Sequence, residues 1–118
     1  MTVEQVVRAL GLNVRSGASK LDQKVGGVYV SDLLSDVMAN AKQGDIWITL
    51  QVHQNVVAVA TLLDLSGVII SRGAEPAEAI IAKAEQEGVP VLTSPEPTFE
   101  VAGRLYQLLS EPDAPALK

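Results

Sequence analysis

Val3, Val6, Val7 and Leu10 recur at i, i+3, i+4 and i+7, so the chain opens on one apolar helical face. Thr2 precedes that face with Gln5 three places on, the pairing of a capping box, and Gly11 ends the helix. Leu12-Asn13-Val14 reads as a brief strand and the polar run Arg15–Lys24 as a loop. From Val25 a strand–helix rhythm sets in. Gly27–Val30, Ile46–Leu50, Gly67–Ser71 and Pro90–Ser94 are short apolar runs of strand length. After the first strand, Ser31 or Asp32 is placed to cap a helix with Leu34, Val37, Met38 and Ala41 on its face, stopped by Gly44. After the second, Asn55 is placed to cap a helix bearing Val56, Val59, Ala60 and Leu63. After the third, Pro76 suits a helical first turn whose face is Ala77, Ile80, Ile81 and Ala84, ended by Gly88. Thr98 opens a last helix with Ala102, Leu105, Tyr106 and Leu109 on one side.

Strands that are apolar throughout are covered on both faces, and the spacing of Gly44, Gly67 and Gly88 leaves room for one strand and one crossover helix per unit. The expected fold is α/β: a three-layer α/β/α domain with a mainly parallel sheet of four or five strands. Residues 1–110 form the domain and 111–118, polar and containing proline, a flexible C-terminal tail. The helix beginning near Asn55 differs from the others. Ala58 and Leu62 extend its apolar surface nearly all round, so it calls for burial on two sides and marks a subunit interface.

Composition narrows the chemistry. The 118 residues include no Cys and one His, so thiolate metal sites, cysteine nucleophiles and multi-histidine centres are excluded, and neither metal nor cofactor is expected. A net charge of −5 lacks the cationic footprint of a nucleic-acid binder, and aromatics at 3% leave no base-stacking platform. No apolar run approaches the ~20 residues of a membrane span, and the first residues lack the features of a secretory signal. A cytoplasmic protein without membrane association is expected.

In an open parallel sheet, ligands sit beyond the carboxyl ends of the strands. Those ends carry the candidate ligand-binding set: Ser31, Asp32, Thr49, Gln51, His53, Gln54, Ser71, Arg72, Gly73, Thr93 and Thr98. Helix N-termini there favour an anion, and Arg72 adds a fixed positive charge suited to phosphate or carboxylate. The same polar residues also serve simply as caps. His53, the one histidine, needs a partner such as Ser71 or Asp32 to act as a base. Asp32 and Asp36 sit at i, i+4 spacing and read as one solvated helix face. No phosphate-loop, dinucleotide or nucleophile-elbow motif is present.

Three segments, Val25–Asp32, Gly67–Pro76 and Gly88–Ser94 followed by Thr98-Phe99, give the stretch from Val25 to Leu109 a resemblance to the DRTGG domain family. The resemblance implies a domain without assigned biochemical activity, related in fold to the N-terminal domain of HPr kinase/phosphorylase, found beside CBS domains in regulatory pyrophosphatases and in some phosphotransacetylases, and tending to pair as dimers. The chain departs from the family pattern in three places. The family's Thr-Gly-Gly is Ser71-Arg72-Gly73, its Asp-Arg pair is replaced by the region of His53-Gln54-Asn55, and the Asp before the last helix is Pro97. Kinase activity is not implied, because it belongs to a P-loop domain that this sequence lacks. Three functions follow in order: a non-catalytic regulatory or protein-interaction module working as a homodimer; a sensor binding a nucleotide or other anionic small molecule at the strand ends; and a small enzyme using His53.

Overall fold

The computed structural model describes residues 1–110; the tail expected at 111–118 lies outside the described residues. The elements in chain order are α1 (Val3–Leu10), β1 (Asn13–Val14), β2 (Gly27–Val30), α2 (Leu34–Asn40), β3 (Asp45–Thr49), α3 (Asn55–Leu63), β4 (Gly67–Ile70), α4 (Glu78–Glu87), β5 (Val91–Thr93) and α5 (Thr98–Ser110). The five strands lie in the order β1-β5-β4-β3-β2. β2 through β5 are parallel and β1 runs antiparallel to β5. The expected three-layer, mainly parallel architecture is the observed one.

Strand alternation sorts the core into two halves. Trp47, Val68, Ile70 and Val91 face α2, α3 and α4, where Val37, Val56, Val59, Ile80 and Ala84 close over them. Ile46, Ile48, Ile69 and Leu92 face α1 and α5, meeting Val3, Val6, Leu10, Val101, Leu105 and Leu108. The capping box forms: the Gln5 amide donates to the Thr2 hydroxyl and the Thr2 amide to the Gln5 side chain. Trp47 is fully buried and its indole N–H donates to the Ser31 carbonyl at 2.8 Å. That bond lets the bulkiest side chain enter the core without an unpaired donor.

Several local expectations are corrected. In α5 the buried line is Val101, Leu105 and Leu108, with Ala102 and Leu109 at its flanks and Tyr106 74% exposed. The helix is turned by about one position, because its inner line continues the aliphatic packing of α1. Met38 of α2 is likewise exposed, and α2 ends at Asn40 with Ala41 as its C-cap, ahead of Gly44. Pro76 and Ala77 stand before α4. The Arg15–Lys24 run is stitched down. Buried Ser16 donates to the Val89 carbonyl and accepts from the Val91 amide, the Gly17 amide donates to Glu85, and Ala18–Lys20 makes a 3₁₀ turn.

Candidate functional site

The carboxyl ends of the parallel strands form two clusters. At the first, β2 and β3 are joined by Asp32. Its Oδ1 accepts from the Thr49 hydroxyl at 2.8 Å and from the Leu50 amide at 2.7 Å. Gln51 answers in the other direction: its side-chain amide donates to the Asp32 carbonyl at 2.9 Å, and its backbone N–H donates to the Thr49 hydroxyl at 3.1 Å. Thr49 is fully buried, so its hydroxyl needs these partners. The Ser31 hydroxyl accepts from the Leu33 amide two residues on. Neither Ser31 nor Asp32 caps α2: its N-cap is Leu33, with no side-chain bond. Asp32 and Asp36 therefore do not share a helix face. Asp36 lies in α2 and accepts from the Tyr29 hydroxyl at 2.8 Å.

The second cluster lies where β4 and β5 end side by side. α4 leaves β4 toward one face of the sheet and α5 leaves β5 toward the other. Adjacent strands that part in this way open a crevice, the usual ligand position in such folds. Here the two loops cross it with backbone bonds: the Arg72 amide donates to the Glu96 carbonyl at 2.7 Å and the Gly73 amide to the Ser94 carbonyl at 2.8 Å. Beneath them the hydroxyls of Ser71 and Thr98 hydrogen-bond at 2.6 Å, with Ser71 fully buried. Arg72 and Gly73 both take left-handed backbone, at φ 62° and 70°. The Arg72 side chain is exposed, and none of the four ion pairs among the described residues includes it.

The remaining expected residues lie apart from these clusters' bonding. His53 is exposed and its Nδ1 accepts from the Asn55 amide at 3.1 Å. The structure gives His53 no hydrogen bond to Ser71 or Asp32, whose side chains are engaged elsewhere. Asn55 is the first residue of α3 and not its cap. Gln54 holds the cap position through backbone alone. Thr93 is buried in β5, paired with Asn13 of β1. Two contributors went unread as site residues, Ser94 and Glu96. They act through backbone carbonyls, and a carbonyl leaves no signal in residue type. Ser94 also accepts from the Glu96 amide through its hydroxyl. Among the described residues, no three acidic or histidine side chains stand together as a metal site, and no helix is long and apolar enough to cross a membrane.

A second surface is distinguished by what it lacks. α3, Asn55–Leu63, contains no charged residue. Between it and α2 runs an open groove of about 270 Å³ lined by Leu34, Met38, Asn55, Ala58, Val59 and Leu62. Leu62 is 68% exposed and Met38 46%.

Residues 5–108 match the DRTGG domain. An HPr kinase/phosphorylase from Shouchella clausii (strain KSM-K16) is 42% identical over 52 residues, which are 44% of this chain and 17% of that protein. A crystal structure of the CBS and DRTGG domains of the regulatory region of Clostridium perfringens pyrophosphatase, complexed with the activator diadenosine tetraphosphate, superposes with a TM-score of 0.74. It is 20% identical and covers 90% of this chain and 46% of that one. The chain thus spans less than half of each of these relatives.

Proposed function

The chain belongs to the DRTGG domain family, and from that premise we propose that it is a non-catalytic regulatory module of the cytoplasm that acts by association, as a homodimer. The observation that carries this reading is the state of the strand-end groups. Asp32, Thr49, Gln51, Ser71 and Thr98 are bonded to one another or to backbone. They fix the ends of four strands and present no nucleophile aligned with a base. The three most exposed large apolar side chains, Phe99, Tyr106 and Leu62, lie on helices, where such surface suits recognition. Light scattering or sedimentation at tens of micromolar tests the association. A dimer is expected, because a specific interface of micromolar Kd holds at that concentration. A monomer overturns it.

A second reading is favoured by Arg72. It stands at the β4–β5 crevice as a cation in no ion pair among the described residues, the charge an anionic small molecule needs. The activator bound by the C. perfringens regulatory region is a dinucleoside polyphosphate, so adenine nucleotides are the first probes. A thermal-shift series with AMP, ATP, diadenosine tetraphosphate and inorganic phosphate should raise the melting temperature of the wild type and leave Arg72→Ala unmoved. Equal shifts in both proteins, or none in either, remove the sensor reading.

A further inference from the structure

We infer that the partner covering the α2–α3 groove is a second copy of the chain, packed about a twofold axis so that the α2–α3 pairs of two protomers stack as one four-helix bundle. The inference rests on the homodimer reading above and adds the surface and its geometry.

Charge selects this occupant. The chain carries a net charge of −5, so most pairings of two copies bring carboxylates together. The groove lining has no charged residue, and α3 has none anywhere along its length. Two copies meeting here bury no carboxylate and leave no unpaired charge behind. A basic or acidic peptide finds nothing on this face to pair with.

The geometry also closes. α2 and α3 follow parallel strands β2 and β3, so they run in the same direction, with Leu34 and Asn55 at one end of the groove and Leu62 at the other. A twofold axis lying in the plane of the face, crossing α2 and α3 near Met38 and Ala58, stacks each helix antiparallel on its own copy and brings Leu62 of each protomer to the Asn55 end of its partner's α3. Each contact then occurs twice, as an isologous interface requires. Ala58 at the centre lets the helices approach closely, and the flexible Met38 fills the space around the axis. Nine residues of α3 at ~1.5 Å each, and two helices ~10 Å wide, make a face of roughly 300 Å² in projection. Accessible surface on corrugated helices exceeds projection, which places two copies near the ~1,000 Å² total where specific interfaces begin.

The absence of native cysteine gives a clean test. A single cysteine at the axis, Ala58→Cys, should form a disulfide-linked dimer under mild oxidation, because Cα atoms must come within about 7 Å for the bond. Phe99→Cys, 82% exposed on α5 across the sheet, should not. In parallel, Leu62→Glu should raise the dimer Kd at least tenfold in sedimentation, with circular dichroism and melting temperature near those of the wild type. Val30→Lys, on the open edge strand β2, should leave the dimer intact. A wild-type dimer that Leu62→Glu does not weaken and Ala58→Cys does not link overturns this inference and leaves the homodimer reading standing. Disruption by Val30→Lys alone assigns the contact to the β2 edge, which likewise overturns the groove interface and keeps the homodimer. A monomeric wild type overturns both.

Discussion

The Asp32 carboxylate and the Thr49 hydroxyl meet at 2.8 Å, and the same carboxylate oxygen accepts from the Leu50 amide at 2.7 Å. One side chain thus ties the end of β2 to the end of β3. Without it, the fully buried Thr49 hydroxyl and a strand-end N–H both lose their acceptor. Asp32→Ala is expected to cost about 1–2 kcal/mol, and Asp32→Asn less because an amide oxygen still accepts. Urea denaturation of the two variants beside the wild type checks the order. Equal loss in both would show that the charge, and not the acceptor, matters.

On the opposite side of β2, the Tyr29 hydroxyl donates to Asp36 at 2.8 Å. This bond, with help from Ser31 and Asn40, holds the Asp36 carboxyl below its ordinary value. It also raises the Tyr29 phenol, with desolvation and the nearby carboxylate adding to the rise. The sign follows from which state binds protons more readily. Asp36 is harder to protonate in the folded chain, so its contribution is full above the ordinary carboxylate range, about 4, and is lost as pH falls through the folded value. Tyr29 is harder to ionise when folded, so its contribution is full below about 10 and is lost as pH rises through its folded value. Tyr29→Phe should therefore flatten both limbs of a plot of urea midpoint against pH. Unchanged limbs would assign the pH dependence to other groups, of which Glu75, lowered by its bond to Arg15, is the first to examine.

Arg72 has φ 62°, a left-handed conformation that costs an L-residue with a Cβ about 1–2 kcal/mol. The resemblance to the DRTGG family places a glycine of the Thr-Gly-Gly pattern there, and the backbone still has the shape a glycine suits. Arg72→Gly is expected to stabilise the fold by about 0.5–1 kcal/mol, part of the relief being offset by the greater entropy of glycine in the unfolded chain. Arg72→Ala keeps the Cβ and should be close to neutral. If Arg72→Gly is destabilising, the guanidinium makes a stabilising contact that outweighs its backbone strain.

Much of the fold was legible because burial writes itself into residue type. A strand covered on both faces must be apolar throughout, so β3, β4 and β5, buried along their whole length, could be read to within one position of their ends, and the half-buried edge strand Gly27–Val30 to the residue. Helix phase was harder. In α5, Leu105 and Leu109 fit two adjacent faces, and only contact with α1 decides that Val101 and Leu108 point inward while Tyr106 points out. The apolar circumference of α3 was readable, and it marks the exposed groove. The candidate site was legible as a place and not as a bonding scheme. Ser31, Asp32 and Asn55 have cap chemistry, yet Asp32 reaches across to β3 and the Asn55 amide is met by His53. Such links join residues distant in sequence or use backbone atoms, and periodicity carries neither.

Gly17 and Gly11 separate two costs of placing a side chain on left-handed backbone. Gly11 has φ 68° and open space where a Cβ would lie. Gly11→Ala should therefore cost only the conformational penalty, about 1 kcal/mol. Gly17 has φ 72°, and its Cβ would come within 2.6 Å of the Pro90 nitrogen and 2.8 Å of the Val89 carbonyl carbon. These are backbone atoms, and they are pinned: Ser16, one residue earlier, bonds to the Val89 carbonyl and the Val91 amide. The loop cannot move away without breaking those bonds, so overpacking adds about 1–3 kcal/mol to the conformational term. Gly17→Ala should thus lower the urea midpoint about two to four times as far as Gly11→Ala at unchanged denaturant slope. Equal effects would mean that the Arg15–Lys24 segment yields, and that its hydrogen bonds to the start of β5 hold it less firmly than their geometry requires.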